Sequence, residues 1–299
     1  MGTITHKAGR IAVSKVTDVI LKNLDKDREK EILKLVDFIE KYMDGEKLDV
    51  DFNNIRKKIE DKDSAINKYI NKALDEIDPG VLKTIVLNLG FEAFLNGTKT
   101  IRKMREKYDC NVPWLILMDP TSACNLHCTG CWAAEYGNRL NLTYEEMDSV
   151  VTQGKELGTY LYMFTGGEPL VRKSDIIKLC EKHNDCAFLS FTNGTLVDEE
   201  FCQEMKRVGN LYLAISLEGF EAVNDLRRGD GVYGKVMNAM DLLKKNGLVF
   251  GTSICYTSKN TETVTSDEFI RLMVDKGCRY AMYFHYMPVG NDASVELLP

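Results

Sequence analysis

The sequence predicts an α/β protein in which a parallel sheet of six strands alternates with helices, preceded by an all-helical N-terminal region. Two observations carry that prediction. From Trp114 onward, a helix closing on glycine and followed by an apolar strand recurs at Gly158, Gly209, Gly247 and Gly277; glycine suits the left-handed residue that ends a helix. Before Trp114, from about Ile11 to Arg105, the chain reads as helical throughout.

Within that first part, Ile32, Leu35, Val36 and Ile39 fall on one helix face and Lys34, Asp37 and Glu40 on the other. Ile66, Ile70 and Leu74 repeat the pattern, and Pro79-Gly80 breaks it before a further helix begins at Val81. Gly45 and Gly97 are expected to close two segments, giving a bundle of four or five amphipathic helices. The apolar run Leu82 to Leu95 carries little basic charge on its polar side, so it is expected to pack on the neighbouring domain and not on a membrane. Residues 1–110 are assigned to this helical region and 111–299 to the α/β core.

The strands of the core are Leu115–Met118, Tyr160–Phe164, Ala187–Phe191, Leu211–Ile215, Val249–Ile254 and Tyr280–Tyr286. Each is apolar on both faces, as in a parallel sheet covered by right-handed crossover helices. Thr143 and Glu146 form a capping box that opens the helix running to Gly158. Alternation alone allows a flat doubly wound sheet or a curved barrel. No G-x-G-x-x-G turn supports the dinucleotide-binding version of the flat form.

Composition narrows the function classes. With 44% hydrophobic and 28% charged residues the chain reads as a globular protein, and its net charge of -6 repels nucleic acid. No run of about 18 apolar residues suggests a membrane span, and the N-terminus lacks the apolar core of a signal peptide. A cytoplasmic location with reduced thiols follows for a chain of nine cysteines. Cys110, Cys180, Cys186, Cys202, Cys255 and Cys278 are scattered singly and read mostly as buried apolar thiols.

The remaining three cysteines are different. Cys124, Cys128 and Cys131 form a C-x-x-x-C-x-x-C loop directly after the first strand, a spacing that lets three thiolates wrap one inorganic centre. A structural zinc site normally takes four ligands in two paired knuckles, and no second pair is present. A scaffold holding zinc or an iron–sulfur cluster, with the helical region recruiting a protein, is the alternative reading.

At these residues the chain resembles the radical S-adenosylmethionine (SAM) superfamily, from about Trp114 to the C-terminus. The resemblance implies a partial (β/α)6 TIM-like barrel in which Cys124, Cys128 and Cys131 ligate a [4Fe–4S] cluster with one iron open to SAM. It also implies reductive cleavage of SAM to a 5′-deoxyadenosyl radical that abstracts hydrogen from a substrate, with reduced flavodoxin or ferredoxin as electron donor. Peptide or protein modification and cofactor or lipid biosynthesis all use such a core, so the substrate stays open. The residue before the third cysteine, commonly aromatic in the family, is Gly130, and Trp132 is the candidate substitute for the adenine contact.

The same resemblance assigns further residues. Thr165-Gly166-Gly167-Glu168-Pro169, after the second strand, corresponds to the loop that holds the amino group of SAM. Asn193 stands where ribose or carboxylate contacts are expected. Ser216-Leu217-Glu218-Gly219 resembles a serine-x-acid-glycine stretch, and Arg227, followed by Arg228, suits bidentate capture of the SAM carboxylate. Ile254 is a weaker candidate against adenine, and His285 and Tyr283 could face substrate from the last strand, although a lone His on an apolar strand is more often core. Cys255, at the end of the fifth strand, is a candidate for a site position. The chain ends soon after the sixth strand, which reads as a fragment or a short family member lacking the cysteine-rich extension that carries an auxiliary cluster in relatives.

Overall fold

The computed structural model describes residues 2–43, 50–133, 137, 139–290 and 293–299. Its first helices are α1 (Gly2–Asn23), α2 (Arg28–Met43), α3 (Phe52–Glu60) and α4 (Ala65–Glu76). They are followed by α5 (Pro79–Thr84), a π-helix (Ile85–Gly97) and α6 (Thr98–Tyr108), which run on without a break as one rod. The expected break is present, but the further helix begins at Pro79, two residues earlier than the sequence suggests. Proline takes the first helical position, and the Asp78 carboxylate accepts from the N–H groups of Gly80 and Val81 at 2.8 and 3.3 Å.

Gly97 does not close a helix. Its backbone stays helical, and a Cβ added there would lie 2.4 Å from the carbonyl oxygen of Gly158. The glycine serves a close backbone crossing between the rod and the end of the helix that Gly158 caps. Gly45 lies outside the described residues. The apolar run of the rod divides: Leu82, Ile85 and Leu89 pack on the core of the strands as expected, whereas Val86, Phe91 and Leu95 pack in a second cluster with Val13 and Phe38 of the first helices; Trp114 Nε1 donates to the Ala93 carbonyl at 3.1 Å.

Six parallel strands follow in the order β1 (Leu115–Met118), β2 (Leu161–Phe164), β3 (Ala187–Thr192), β4 (Leu211–Ser216), β5 (Phe250–Tyr256) and β6 (Ala281–His285). Each pairs with the next, so the sheet curves through half a barrel with helices outside it. The crossovers are α7 (Tyr144–Leu157), α8 (Lys173–Lys182), α9 (Glu199–Val208), α10 (Glu221–Arg228) with α11 (Val232–Lys245), and α12 (Thr261–Val264) with α13 (Asp267–Lys276). The capping box at α7 is formed in both directions, Glu146 N–H to Thr143 Oγ1 at 3.1 Å and Thr143 N–H to Glu146 Oε2 at 2.7 Å.

The aromatic centre of the core is Tyr162, Phe164 and Phe188, with Phe188 stacked at 5.7 Å from each of the other two. Burying each such ring contributes about 1.5–3 kcal/mol. Strands β2 to β5 are buried on both faces along most of their length, as the apolar runs predict, but the edges are not. Leu117 on β1 is 52% exposed and Phe284 on β6 is 45% exposed. An edge strand has a neighbour on one side only, so its apolar side chains line the open mouth instead of a closed core.

Candidate functional site

Loops at the C-terminal ends of parallel strands are where a βα fold presents its chemistry, and here they enclose one cavity of about 540 Å³. Cys124, Cys128 and Cys131, from the loop after β1, all line it. Cys124 Sγ accepts from the Leu126 N–H at 3.5 Å, and the Cys131 N–H donates to the Cys128 carbonyl at 3.2 Å. Burial pushes the Cys124 thiol up, against the pull of that N–H, and pushes the Cys128 thiol up against the nearby Arg228 guanidinium. Among the described residues no three His, Cys, Asp or Glu groups close around a single ion. One zinc would hold its sulfurs about 4 Å apart, whereas a cubane takes each thiolate on a separate iron corner.

The β2 loop explains why two glycines are needed. A Cβ on Gly167 would lie 2.2 Å from the Ala123 carbonyl oxygen, and one on Gly166 would lie 2.6 Å from that of Thr121. The Gly167 and Glu168 N–H groups donate to the Thr121 and Ala123 carbonyls at 2.9 and 2.8 Å. The glycines therefore let this loop lie against the backbone of the cysteine loop. Thr165, Gly166, Gly167 and Glu168 line the cavity; Pro169 does not, and instead starts a 3₁₀ turn.

Glu168 is 1% exposed and is committed within the protein. Its Oε1 accepts from Thr192 Oγ1 at 2.7 Å and from the Leu170 N–H at 2.9 Å, and its Oε2 accepts from the Asn193 N–H at 2.7 Å. Burial raises its pKa although all three bonds oppose the rise. Asn193 completes the link: its Nδ2 donates to Asn125 Oδ1 at 2.8 Å, fastening the end of β3 to the cysteine loop.

The opposite wall comes from β4 and α10. Ser216, Arg227 and Arg228 line the cavity, and Glu218 lies buried beside the two arginines. Its Oε1 accepts from Arg227 Nη1 at 2.8 Å, from Arg228 Nε at 3.1 Å and from Arg228 Nη2 at 2.5 Å. The Glu218 backbone is fixed in turn, its N–H donating to Asn224 Oδ1 at 3.1 Å and its carbonyl accepting from Asn260 Nδ2 at 3.0 Å. Arg227 sits near the C-terminal end of α10, where its carbonyl accepts from the Thr129 N–H of the cysteine loop at 2.8 Å. Arg228 Nη1 donates to Cys128 Sγ at 4.0 Å.

This donor set fits an iron–sulfur cluster with a charged ligand. Soft thiols face guanidinium groups that offset the negative charge of a thiolate-bound cluster. Two buried polar atoms, Glu218 Oε2 and Arg227 Nε, have no partner among the described residues, and buried polar groups are rarely left so.

The rim is apolar. Leu117, Trp132, Phe191, Phe284, Met287 and Val289 line it, together with Cys255 and His285. His285 is exposed at this mouth and is not a core residue, its Nδ1 lying 3.1 Å from Tyr256 Oη. Tyr283 points away, donating to the Val264 carbonyl at 2.7 Å, and Ile254 is fully buried off the cavity. Trp132 stands on the rim, 45% exposed. Sequence reasoning missed Tyr286, which is 2% exposed and lines the cavity where Gly130 leaves room. A Cβ on Gly130 would lie 2.5 Å from its hydroxyl. An aromatic ring from the residue just after β6 thus borders the position where the loop itself carries none.

Comparison with known proteins bears on the family and the fold. The chain is 25% identical over 188 residues to Fe-coproporphyrin III synthase of Methanosarcina barkeri, 60% of this chain and 46% of that protein. It is 26% identical over 203 residues to GTP 3′,8-cyclase of Petrotoga mobilis, 63% of this chain and 60% of that one. The chain thus spans about half the length of the curated relatives it matches. The structure of Streptococcus suis SuiB bound to S-adenosylmethionine shares the fold, with a TM-score of 0.57 at 16% identity over 67% of this chain and 47% of that chain. The family model of the radical SAM superfamily matches residues 118–274, just over half of the sequence. The chain belongs to the radical SAM superfamily, whose members use a [4Fe–4S] cluster and S-adenosylmethionine.

Proposed function

We propose that this chain is the SAM-cleaving core of a radical enzyme, with Cys124, Cys128 and Cys131 as the ligands of its cluster. The observation that carries the reading is the meeting of three thiols, a glycine-lined loop and two arginines on one cavity. When bound, the cluster and SAM supply the chemistry: one electron breaks the sulfonium bond, giving methionine and a 5′-deoxyadenosyl radical that takes hydrogen from the substrate.

The protein's own part is binding, orientation and exclusion of water. The Thr165–Glu168 loop holds the amino group of SAM, and Arg227 holds its carboxylate with the donors Glu218 leaves over. Asn193 and Ser216 stand at the ribose, and Trp132 and Tyr286 border the adenine. The apolar rim keeps the radical away from water and meets a substrate not yet identified, whether in peptide or protein modification or in cofactor or lipid biosynthesis. Reduced flavodoxin or ferredoxin in an anaerobic cytoplasm is the electron source this chemistry calls for.

Anaerobic reconstitution tests the reading. About four iron and four sulfide per chain, with 5′-deoxyadenosine released from SAM under dithionite, is the expected result. Stoichiometric zinc without SAM cleavage would overturn it.

A further inference from the structure

Arg227 and Arg228 are adjacent in sequence and share one carboxylate, yet they are used differently. Arg228 gives Nε and Nη2 to Glu218 Oε1, which turns the remaining arm, Nη1, toward Cys128 Sγ. Arg227 gives Glu218 only Nη1 and keeps a buried Nε that has no partner among the described residues. Both side chains are largely buried, 10% exposed for Arg228 and 14% for Arg227, so their charges act through a medium that screens them poorly. The backbone beneath them is held by Asn224, Asn260 and the Thr129 contact. The geometry is therefore set before any ligand arrives.

We infer that the two arginines divide the work, Arg227 serving the anionic end of SAM and Arg228 acting as a positioning residue that sets the reduction potential of the cluster through Cys128. The inference rests on the reading of the site given above. A cation donating to a ligand sulfur stabilises the more negative, reduced form. Reduction is then easier for a donor of given potential. The step concerned is uptake of one electron from the reductant; no bond is made or broken in it.

The test uses the reconstituted full chain without SAM, poised with dithionite and redox mediators and read by electron paramagnetic resonance, with SAM affinity measured separately by titration. Arg228→Gln is expected to lower the reduced-to-oxidised ratio at fixed potential about tenfold, a shift of about 59 mV to more negative values, with SAM affinity within about threefold of the parent. Arg227→Gln is expected to weaken SAM at least tenfold and to shift the SAM-free potential by clearly less than Arg228→Gln, because it is Arg228 that donates to Cys128 Sγ. Arg228→Lys, which keeps the charge but loses the fork, is expected to shift in the same direction by less. If Arg228→Gln takes up no cluster, Arg228→Lys decides. An unshifted potential in the Arg228 variants, or an equal shift in Arg227→Gln, overturns the inference while leaving the cluster reading intact. A parent chain that takes up no cluster overturns both.

Discussion

Two buried glutamates, one on the N-terminal rod and one at the cavity, make opposite use of the same pairing chemistry. Glu92, in the π-helix, has both oxygens occupied: Oε1 accepts from Arg10 Nη1 at 2.9 Å, and Oε2 lies 2.7 Å from His6 Nε2 and 3.4 Å from Asn96 Nδ2. Arg10 also donates to Asn88 at 2.7 Å, and Asn88 donates in turn to the Asn184 and Cys186 carbonyls at 2.9 and 2.8 Å. Glu218 also holds two cations but places both on one oxygen, and the other has no partner among the described residues. A satisfied network fastens one element to another; an unsatisfied one keeps bonding capacity for something else, at a cost of roughly 1–3 kcal/mol per unpaired group.

The largest expected effect separates the site from the scaffold altogether. Cys128→Ala should lose nearly all cluster iron while its circular dichroism and melting behaviour stay those of the parent; an equally brown variant would contradict the ligand assignment. At the other end, Glu92→Gln should destabilise the fold by roughly 2–3 kcal/mol. That is below the usual range for breaking a buried pair, because His6 and Arg10 are about a quarter exposed. Urea unfolding measures it, and iron per folded chain should not change. A loss of cluster without a loss of stability would erase the contrast between the two glutamates.

Gly167→Ala probes the seam between loops. The added methyl meets the Ala123 carbonyl at 2.2 Å, and overpacking of this kind costs about 1–3 kcal/mol. Because the neighbour is the cysteine loop, SAM affinity should fall together with stability, unlike in Glu92→Gln. Thr143→Ala should cost about 1 kcal/mol through the lost cap and nothing in cluster content.

The smallest effect is a pH slope. Burial lowers the His183 pKa, although its bond to Asp148 at 2.9 Å opposes this. The folded state therefore favours the neutral ring, and stability falls as pH drops through the unfolded value near about 6.5. Asp148 is also held low, Lys182 and His183 outweighing its desolvation, so its contribution is lost only at more acidic pH. His183→Gln should flatten the slope of unfolding free energy between about pH 7 and 5.

How far the sequence reveals these features depends on the range of the interactions behind them. The strands, the Thr143 capping box and the glycine stops are local signals and stand within a residue or two of where the pattern puts them. The π-helix is not legible, because its bonding step shows no distinct apolar period. Gly97 is misread because its reason is Gly158, distant in sequence. The cysteine spacing by itself singles out the loop proposed to hold the cluster. The separate tasks of Arg227 and Arg228 depend on which arm Glu218 holds, which only the folded geometry displays. An acid followed nine and ten residues later by paired arginines was the available signal. Tyr286 could be anticipated only by knowing that the chain leaving β6 passes Gly130.

The central claim is that three thiolates hold a cluster with one iron left for SAM. Adding SAM to the anaerobically reduced, reconstituted chain and recording the electron paramagnetic resonance spectrum tests it most directly. The account predicts a cluster signal whose shape changes on SAM addition, absent from Cys128→Ala. A signal indifferent to SAM, or one that survives in that variant, would contradict it.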